Sequence, residues 1–306
     1  MLAFKLTYRI ETMISLREAI SWALENKVAL GHFNVSDLEM LQAVVEAAKE
    51  LSLGQPEPLP IIIGVSEGER EALGVLTISR LVKGMAKDLN YPLFLNADHT
   101  KSIEKIEEAA RAGFDAVIFD GADLSLEENL KKTKEAAQKA RAINKNIIVE
   151  GELGYIGSGS EVRTELPKGA AVTIEQATKV DEAVRFVKET GVDLFAPAVG
   201  NVHGMLKDSP DPRLFIDRVG EIFKATGVPL VLHGGSGTVD EDFVAAIKSG
   251  VAIIHISTEL RKAWREGVEQ DLKNKPNEVA PYKLLEKAKK NVGEVVMKRL
   301  RLFNSL

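Results

Sequence analysis

Eight short runs of apolar and β-branched residues recur along the chain, and most segments between them have the period of amphipathic helices. Continuous apolar runs predict parallel strands that are buried on both faces, whereas half-exposed strands would alternate. The runs cover residues 29–35, 60–66, 92–98, 115–121, 146–153, 193–199, 228–234 and 251–257. Eight such strand–helix units predict an α/β fold, specifically a (β/α)8 barrel of the TIM type.

Helical periodicity is clear in several of the intervening segments. Predicted helices include residues 38–51, 102–113 and 173–191. Helix C-caps are predicted at the glycines just before the next strand, namely Gly113, Gly191, Gly227 and Gly250. Residues 281–303 predict a long amphipathic helix that extends the barrel and either closes it or packs on a second subunit. No internal boundary is visible, so we expect residues 1–306 to form a single domain.

Two connections are longer than a minimal barrel needs. Residues 53–60 are rich in proline and precede the second strand, and residues 155–173 follow the fifth strand and mix glycine, serine and charge. A loop of the second length is uncommon in a compact domain and is usually functional. We therefore predict that residues 155–173 form a lid.

Composition excludes several classes of protein. With 45% apolar residues and a net charge of −5, the chain can bury a large core but has no overall positive charge to attract nucleic acid or anionic membranes. It lacks the run of about 18 apolar residues that a membrane span needs, and its charged first 20 residues do not predict a signal peptide. We expect a cytoplasmic protein. Because cysteine is absent, any metal must be bound by His, Asp or Glu.

All five histidines lie in, at the end of, or just after an apolar run: His32, His99, His203, His233 and His255. The C-terminal ends of barrel strands converge on one face, where active sites form. One such histidine would be an ordinary core residue, but five at equivalent places favour a metal site. Catalytic zinc commonly takes three protein ligands and acts as a Lewis acid. The pattern alone leaves open which three histidines bind the metal.

A glycine-rich turn follows the seventh run and precedes a predicted helix. Its small residues are Gly234, Gly235, Ser236 and Gly237. Free amides and a helix N-terminus at this place in a barrel bind phosphate, although an ordinary turn that needs positive φ fits the same residues. Ser257 and Thr258 after the eighth run, and Gly204 and Lys207 after the sixth, would complete the phosphate site.

Carboxylates follow the same strands. Glu150 and Glu152 are two residues apart and share one face of a strand, and Asp98 ends the third run. Buried carboxylates are costly unless a cation is close. A metal satisfies this need, and so would an ion pair with Lys or Arg. Asp120 and Asp123 fit simple turn chemistry.

Several segments, in this order and with these gaps, resemble the class II fructose-bisphosphate and tagatose-bisphosphate aldolases. They are ALGHFNVSDLEMLQAVVEAA, LNADHTKS, VEGELGYIG, PAVGNVHG, VLHGGSG and APYKLLEKAKKNVGEVVMKRLRLF. The resemblance covers essentially the full chain. It implies a metal-dependent lyase that acts on a small sugar phosphate and assembles as a homodimer or homotetramer.

The resemblance also implies roles for individual residues. The zinc ligands of the family fall on His99, His203 and His233, and a glutamate near the metal falls on Glu152. Its catalytic aspartate falls on Asp98, which would exchange a proton with the substrate C4 hydroxyl. The implied cofactor is Zn²⁺ or another divalent metal, with a monovalent cation as a candidate second ion.

Substrate contacts are implied at both ends of the pocket. Phosphate would be bound by Gly204, Lys207, Gly234 and Ser236, with Asn34 and Ser66 toward the other end of the substrate. The implied reaction is retro-aldol cleavage of fructose 1,6-bisphosphate to dihydroxyacetone phosphate and glyceraldehyde 3-phosphate, without a Schiff-base lysine.

Two segments depart from the family pattern. Residues 255–259 read HISTE where the family usually reads NIDTD, so His255 and Ser257 replace residues that contact the dihydroxyacetone phosphate portion. Tagatose 1,6-bisphosphate or another phosphorylated ketose therefore stays an alternative substrate. In the lid, residues 157–161 read GSGSE, and Glu161 is the expected proton-transfer residue.

Two other functions fit parts of the pattern. A metal-dependent barrel hydrolase would usually open with two histidines on the first strand, where this chain has only His32. A catalytically silent sugar-phosphate-binding barrel would not need Asp98 beside the histidines.

Overall fold

The computed structural model describes residues 14–306 and confirms the predicted (β/α)8 barrel. The strands are β1 Leu30–Asn34, β2 Ile61–Val65, β3 Leu93–Thr100, β4 Ala116–Phe119, β5 Ile148–Leu153, β6 Val162–Arg163, β7 Leu194–Pro197, β8 Met205–Leu206, β9 Leu230–Leu232 and β10 Val251–Ile256. Eight of them are parallel and close the barrel, in which β10 pairs with β1. The short strands β6 and β8 pair separately above it. The expectation about a signal peptide concerns mainly residues 1–13, which lie outside the described part.

Helices alternate with the strands. They are α1 Leu16–Asn26, α2 Leu38–Ser52, α3 Glu67–Leu73, α4 Val75–Leu89, α5 Ile103–Ala112, α6 Leu126–Ile143, α7 Val180–Thr190, α8 Ile216–Thr226, α9 Asp240–Lys248, α10 Thr258–Asn274 and α11 Glu286–Phe303. None of these helices, within residues 14–306, is both long and apolar enough to cross a membrane. The predicted C-caps Gly113, Gly191 and Gly227 adopt the left-handed conformation, and Gly250 follows the C-cap Ser249 of α9 with φ of 115°.

Two predicted helices have different bounds in the structure. The segment 173–191 becomes helical only at Val180, because Thr178 is bound to the barrel: its hydroxyl donates to the Leu153 carbonyl and accepts from the Ala198 amide. The segment 281–303 begins as a 3-10 turn, and α11 starts at Glu286. This last helix packs on α2 and α10 of its own chain.

The barrel interior changes from apolar to polar along its axis. At the N-terminal ends of the strands, Leu30, Ile62 and Phe94 form one apolar cluster, and α1 packs into this cluster with Leu16 and Ile20. Because alternate strand residues share a face, the next inward positions lie toward the C-terminal ends. These are the buried polar residues His32, Asn34, Asn96, Asp98, Glu150 and Glu152. The apolar base therefore stabilises the fold, and the polar mouth is left for chemistry.

Glycine at position 64 makes room for one of the inward histidines. A Cβ at Gly64 would lie 2.0 Å from Cε1 and 2.6 Å from Nε2 of His32, which is fully buried. The imidazole is thus packed directly against the backbone of β2.

Gly64→Ala is expected to destabilise the protein by about 1–3 kcal/mol, because His32 has no free space into which it can move. Chemical denaturation measures the change. Gly68→Ala is the matched control, since no atom lies within 4 Å of the added Cβ. Equal stability of the two variants would contradict this packing.

Asp211 lies in the connection from β8 to α8 and packs on the turn after β9. Its Oδ1 accepts a hydrogen bond from the Leu206 amide at 2.9 Å, while its Oδ2 is buried beside Gly237. Burial raises the pKa of Asp211 to about 6, and the negative charge of Glu259 adds to this effect although the Leu206 amide opposes it. The folded state therefore holds the Asp211 proton more tightly than the unfolded chain, and stability is lost as pH rises from about 4 to about 6.

Asp211→Asn removes this loss because the amide does not ionise and can still accept from Leu206. We expect the variant to melt above the wild type at pH 8 by roughly 2–4 °C, equivalent to about 1 kcal/mol. The difference should vanish below pH 4. Melting curves across this pH range measure it, and a difference that is independent of pH would contradict the assignment.

Candidate metal centre and active site

Three histidines meet at the mouth of the barrel. His99 lies near the end of β3, and His203 and His233 follow β7 and β9. One ring nitrogen of each lies within 4.8 Å of one ring nitrogen of the other two, and Nε2 of His99 is 3.3 Å from Nδ1 of His233. The predicted triad is thus assembled in space.

The backbone of β3 is distorted where it presents His99. His99 has φ of 41°, in the left-handed region, and the register with β4 shifts between Ala97 and Thr100. Such a bulge redirects a side chain at a cost in strain. The buried guanidinium of Arg70 supports it by donating to the carbonyls of Val65 and Asp98 and to the Thr100 hydroxyl.

Carboxylates bind the outer nitrogens of two of the rings. Nδ1 of His99 is 3.0 Å from Oδ2 of Asp120, and Nε2 of His233 is 2.6 Å from Oε1 of Glu150. Each bond sets the tautomer of its ring and directs the other nitrogen to the centre, as partners of metal-binding histidines do. The nitrogens available to a metal are therefore Nε2 of His99 and Nδ1 of His233.

The charge of the cluster favours a cation. Although burial lowers the pKa of His99, the charges of Asp98, Asp120 and Glu152 outweigh it and raise this pKa to about 10. Burial and the nearby charges of His99 and His233 hold the pKa of His203 well below its usual value. The carboxylates thus stabilise positive charge among the imidazoles, and a divalent metal bound by neutral rings would supply that charge.

Glu152 borders the same centre. Its Oε2 is buried without a hydrogen-bond partner among residues 14–306 and lies 3.7 Å from Nδ1 of His99. Burial, with the negative charge of Asp120, raises its pKa to about 7. An unpartnered carboxylate oxygen in this place fits a nearby cation. Within residues 14–306, Glu150 and Glu152 lie in ion-pair distance of His233 and His99 and of no Lys or Arg.

Asp98 lies beside the triad and is 3% exposed. Its Oδ2 accepts from Nδ2 of Asn34 at 2.9 Å, and its Oδ1 is 3.9 Å from Nε2 of His99. Burial raises its pKa, but the charges of His99 and His255 outweigh burial and hold this pKa well below the usual value. These charges favour the ionised form of the Asp98 carboxyl group, which lies next to the candidate metal position.

The turn after β9 offers only a few free hydrogen-bond donors that could bind a phosphate. The Gly235 amide donates to the His255 carbonyl, and the Gly237 amide donates to Glu259, so neither is free. The Ser236 hydroxyl accepts from the Glu259 amide, which leaves its own hydrogen for a ligand. Thr258, the first residue of α10, lines the same side of the pocket.

The loop after β5 runs along another side of the pocket. Its Ile156 carbonyl accepts from the His203 amide at 2.8 Å, and the Ser160 hydroxyl donates to Ser257 at 3.0 Å. Pairing of β6 with β8 fixes its far end. The loop is thus bonded to the segment that carries His203.

One cavity of about 220 Å³ joins these groups. The predicted residues that line it are Asn34, Ser66, Asp98, His99, Glu152, His203, Gly204, His233, Gly234, Gly235, Ser236, His255, Ser257 and Thr258. Lys207 and Glu161 do not line it: both are exposed, and the Glu161 carboxylate lies 3.6 Å from Arg163. Their backbones extend the pairing of β6 with β8, since the Met205 amide donates to the Glu161 carbonyl and the Lys207 amide donates to the Arg163 carbonyl.

Sequence reasoning underrated or missed three contributors. Asp120 was predicted to be an ordinary turn residue. Arg70 and Arg261 were not predicted, because they lie on the helices that follow β2 and β10 rather than at strand ends. Arg261 lines the pocket near Ser66 and pairs with Glu69 at 2.7 Å. Its position, one turn into the helix after the last strand, was the available signal.

Known proteins share this sequence and architecture. The family model described as fructose-bisphosphate aldolase class II matches residues 14–306. The chain is 34% identical over 297 residues to the fructose-bisphosphate aldolase of Geobacillus stearothermophilus, covering 96% of this chain and 98% of the relative. It is 36% identical over 298 residues to the fructose-bisphosphate aldolase of Staphylococcus aureus, with the same coverage.

A solved structure agrees with these relatives. The YdjI aldolase from Escherichia coli K12 superposes with a TM-score of 0.76 at 30% identity, covering 96% of this chain and 98% of that one. These matches favour a lyase over the barrel hydrolase and the silent binding protein. The chain belongs to the class II fructose-bisphosphate aldolase family, whose members are metal-dependent lyases that act on sugar phosphates.

Proposed function

We propose that this protein is a zinc-dependent aldolase that reversibly cleaves fructose 1,6-bisphosphate to dihydroxyacetone phosphate and glyceraldehyde 3-phosphate. The observation that carries the proposal is the buried carboxylate of Asp98, whose Oδ1 lies 3.9 Å from Nε2 of His99 in the three-histidine cluster. A base beside a Lewis acid is what retro-aldol chemistry needs.

His99, His203 and His233 would hold the metal, with Glu152 close enough to join them. Three imidazoles suit zinc, which in catalytic sites keeps a position open for substrate. When bound, zinc supplies Lewis-acid catalysis at the substrate C2 carbonyl.

The rest of the site orients the substrate. One phosphate would bind at Ser236 and the N-terminus of α10, where amides and the helix dipole favour a dianion. The other would bind at Ser66 and the guanidinium of Arg261, which suits phosphate geometry. A bisphosphate held at both ends places its C4 hydroxyl toward Asp98.

Asp98 performs the proton transfer that starts the cleavage. It accepts the C4 hydroxyl proton, the C3–C4 bond breaks, and C4 becomes the aldehyde of glyceraldehyde 3-phosphate. The electron pair passes to the three-carbon fragment, which becomes dihydroxyacetone phosphate on protonation at C3. Asn34 holds Asp98 in place through Oδ2, which leaves Oδ1 for the proton. Glu161 stays a prediction for the C3 proton, and its exposed carboxylate would have to move inward.

A second candidate substrate is tagatose 1,6-bisphosphate, which differs only in configuration at C4. His255 and Ser257 line the pocket in place of the residues usual for the family, and this change favours testing both sugars. The expected homodimer or homotetramer and the cytoplasmic location also stay predictions.

Cleavage of both bisphosphates is expected to depend on zinc. Chelation should abolish release of glyceraldehyde 3-phosphate, and added Zn²⁺ should restore it, as a coupled dehydrogenase assay will show. Activity that survives complete removal of metal would refute the mechanism. If the protein cleaves tagatose 1,6-bisphosphate but not fructose 1,6-bisphosphate, tagatose 1,6-bisphosphate replaces fructose 1,6-bisphosphate as the proposed substrate.

Asp98→Asn and His203→Ala should separate chemistry from metal binding. Asp98→Asn keeps an acceptor for Asn34 but loses the base, so we expect turnover to fall about 10²–10⁴-fold with zinc still bound. His203→Ala should lose zinc as well as turnover. Metal analysis and steady-state kinetics measure both, with the exposed Asp181→Asn on α7 as control. Full zinc content in His203→Ala would refute the ligand assignment.

A further inference from the structure

Two histidines that the proposed metal site does not use lie beneath it. His32 and His255 occupy paired register positions on β1 and β10. Their rings are stacked, with centroids 3.4 Å apart and planes 3° from parallel. The other face of His255 covers His233, with centroids 4.0 Å apart and planes 34° apart. The rings of His32, His255 and His233 therefore form a three-imidazole stack that ends on a candidate metal ligand.

The lower end of the stack is fixed. His32 is fully buried, rests on the backbone of Gly64, and has its Nε2 3.1 Å from Nδ2 of Asn96. Its ring plane is thus set by close packing on one side and a polar contact at its edge. Through the stack, His32 limits the tilt of His255, and His255 limits that of His233.

His255 also contacts the proposed base. Its Nδ1 is 3.4 Å from Oδ1 of Asp98. His255 is the stack member between the metal ligand His233 and the catalytic carboxylate, so its position bears on both. With both ring faces covered and 5% of the residue exposed, only an edge of His255 can reach the pocket.

A second metal ion is the obvious alternative, because ligand atoms of His32, Asp98 and His255 also lie within 4.8 Å of one another. The ring geometry opposes it. An imidazole binds a metal through a lone pair in the plane of its ring, and two stacked rings with centroids 3.4 Å apart and planes 3° from parallel share no such position. Both rings would have to rotate out of the stack.

We infer that His32 and His255 are positioning residues that hold the imidazole of His233 and the carboxylate of Asp98 in place for metal binding and proton transfer. The inference rests on the proposed function for the identity of the metal site. It assigns to His255 mainly a supporting role, in addition to any substrate contact through its edge. His32, which does not line the cavity, acts entirely through His255.

Metal affinity tests the inference independently of turnover. His32→Leu fills similar volume without a planar polar group, whereas His32→Gln keeps a planar amide that can stack and bond to Asn96. We expect His32→Leu to weaken zinc binding about tenfold in competition with a chromophoric chelator, as loss of a supporting group typically does. His32→Gln should retain most of the affinity.

The Co²⁺-substituted proteins provide a second readout. The visible bands report ligand geometry, so they should shift in His32→Leu and stay near those of the wild type in His32→Gln. Melting of the metal-free proteins checks that both variants fold. Unchanged affinity and spectrum in His32→Leu would overturn the inference, and so would equal loss in both variants, which would indicate packing alone.

His255→Phe distinguishes support from substrate recognition. Phenylalanine preserves a stacked ring but has no nitrogen, so zinc affinity should hold while kcat falls through the lost contact with Asp98. A rise in KM alone, with kcat unchanged, would overturn the positioning role at Asp98. A wild-type protein that binds zinc but cleaves neither bisphosphate would refute the proposed function and leave the affinity test of the stack intact.

Discussion

Buried negative charge is the constraint on which the site depends. Asp98, Glu150 and Glu152 are each no more than 3% exposed, and Asp120 lies beside them. Carboxylates in a medium of low dielectric constant are costly unless positive charge or hydrogen-bond donors compensate them. The imidazoles of His99 and His233 meet this need only in part, and a divalent cation bound between them would complete the balance. The cation that would offset the buried negative charge at the barrel mouth is therefore the same cation that the proposed chemistry needs.

The barrel meets this constraint by placing apolar residues at one end and polar residues at the other. Its base is apolar and covered by α1, so the free energy from burial there can offset the cost of polar groups above. Buried arginines hold the mouth in shape. Arg70 supports the distorted backbone at His99. From α11, Arg299 binds Glu259, which in turn accepts from the Gly237 amide in the glycine-rich turn after β9. The C-terminal helix thus stabilises the substrate side of the site as well as the core.

Different groups of residues at the barrel mouth have different roles. In the proposed function, the three histidine ligands and Asp98 would carry the chemistry, the carboxylates bonded to the outer ring nitrogens would set the tautomers, and the stack below His233 would set its ring plane. The departure at His255 and Ser257 has two consequences of different kinds. His255 completes the stack, whereas Ser257 accepts a hydrogen bond from Ser160 in the loop that lines one side of the pocket. The residues at positions 255 and 257 therefore affect both the pocket lining and the packing around the candidate metal centre.

The sequence by itself predicted the strand–helix order and the barrel, and it placed five histidines and Asp98 at strand ends, because these depend on local patterning and on the rule that strand ends converge. The choice of His99, His203 and His233 among the histidines came from the resemblance to the family. The sequence also placed Glu150 and Glu152 on one face, which follows from the period of a strand. It did not reveal that Asp120 binds His99, that Lys207 and Glu161 do not line the cavity, or that His32 stacks on His255. Those outcomes depend on the register between β1 and β10, the bulge at His99 and the pairing of β6 with β8. Register and bulges are set by contacts between distant segments, and only the folded chain brings those segments together.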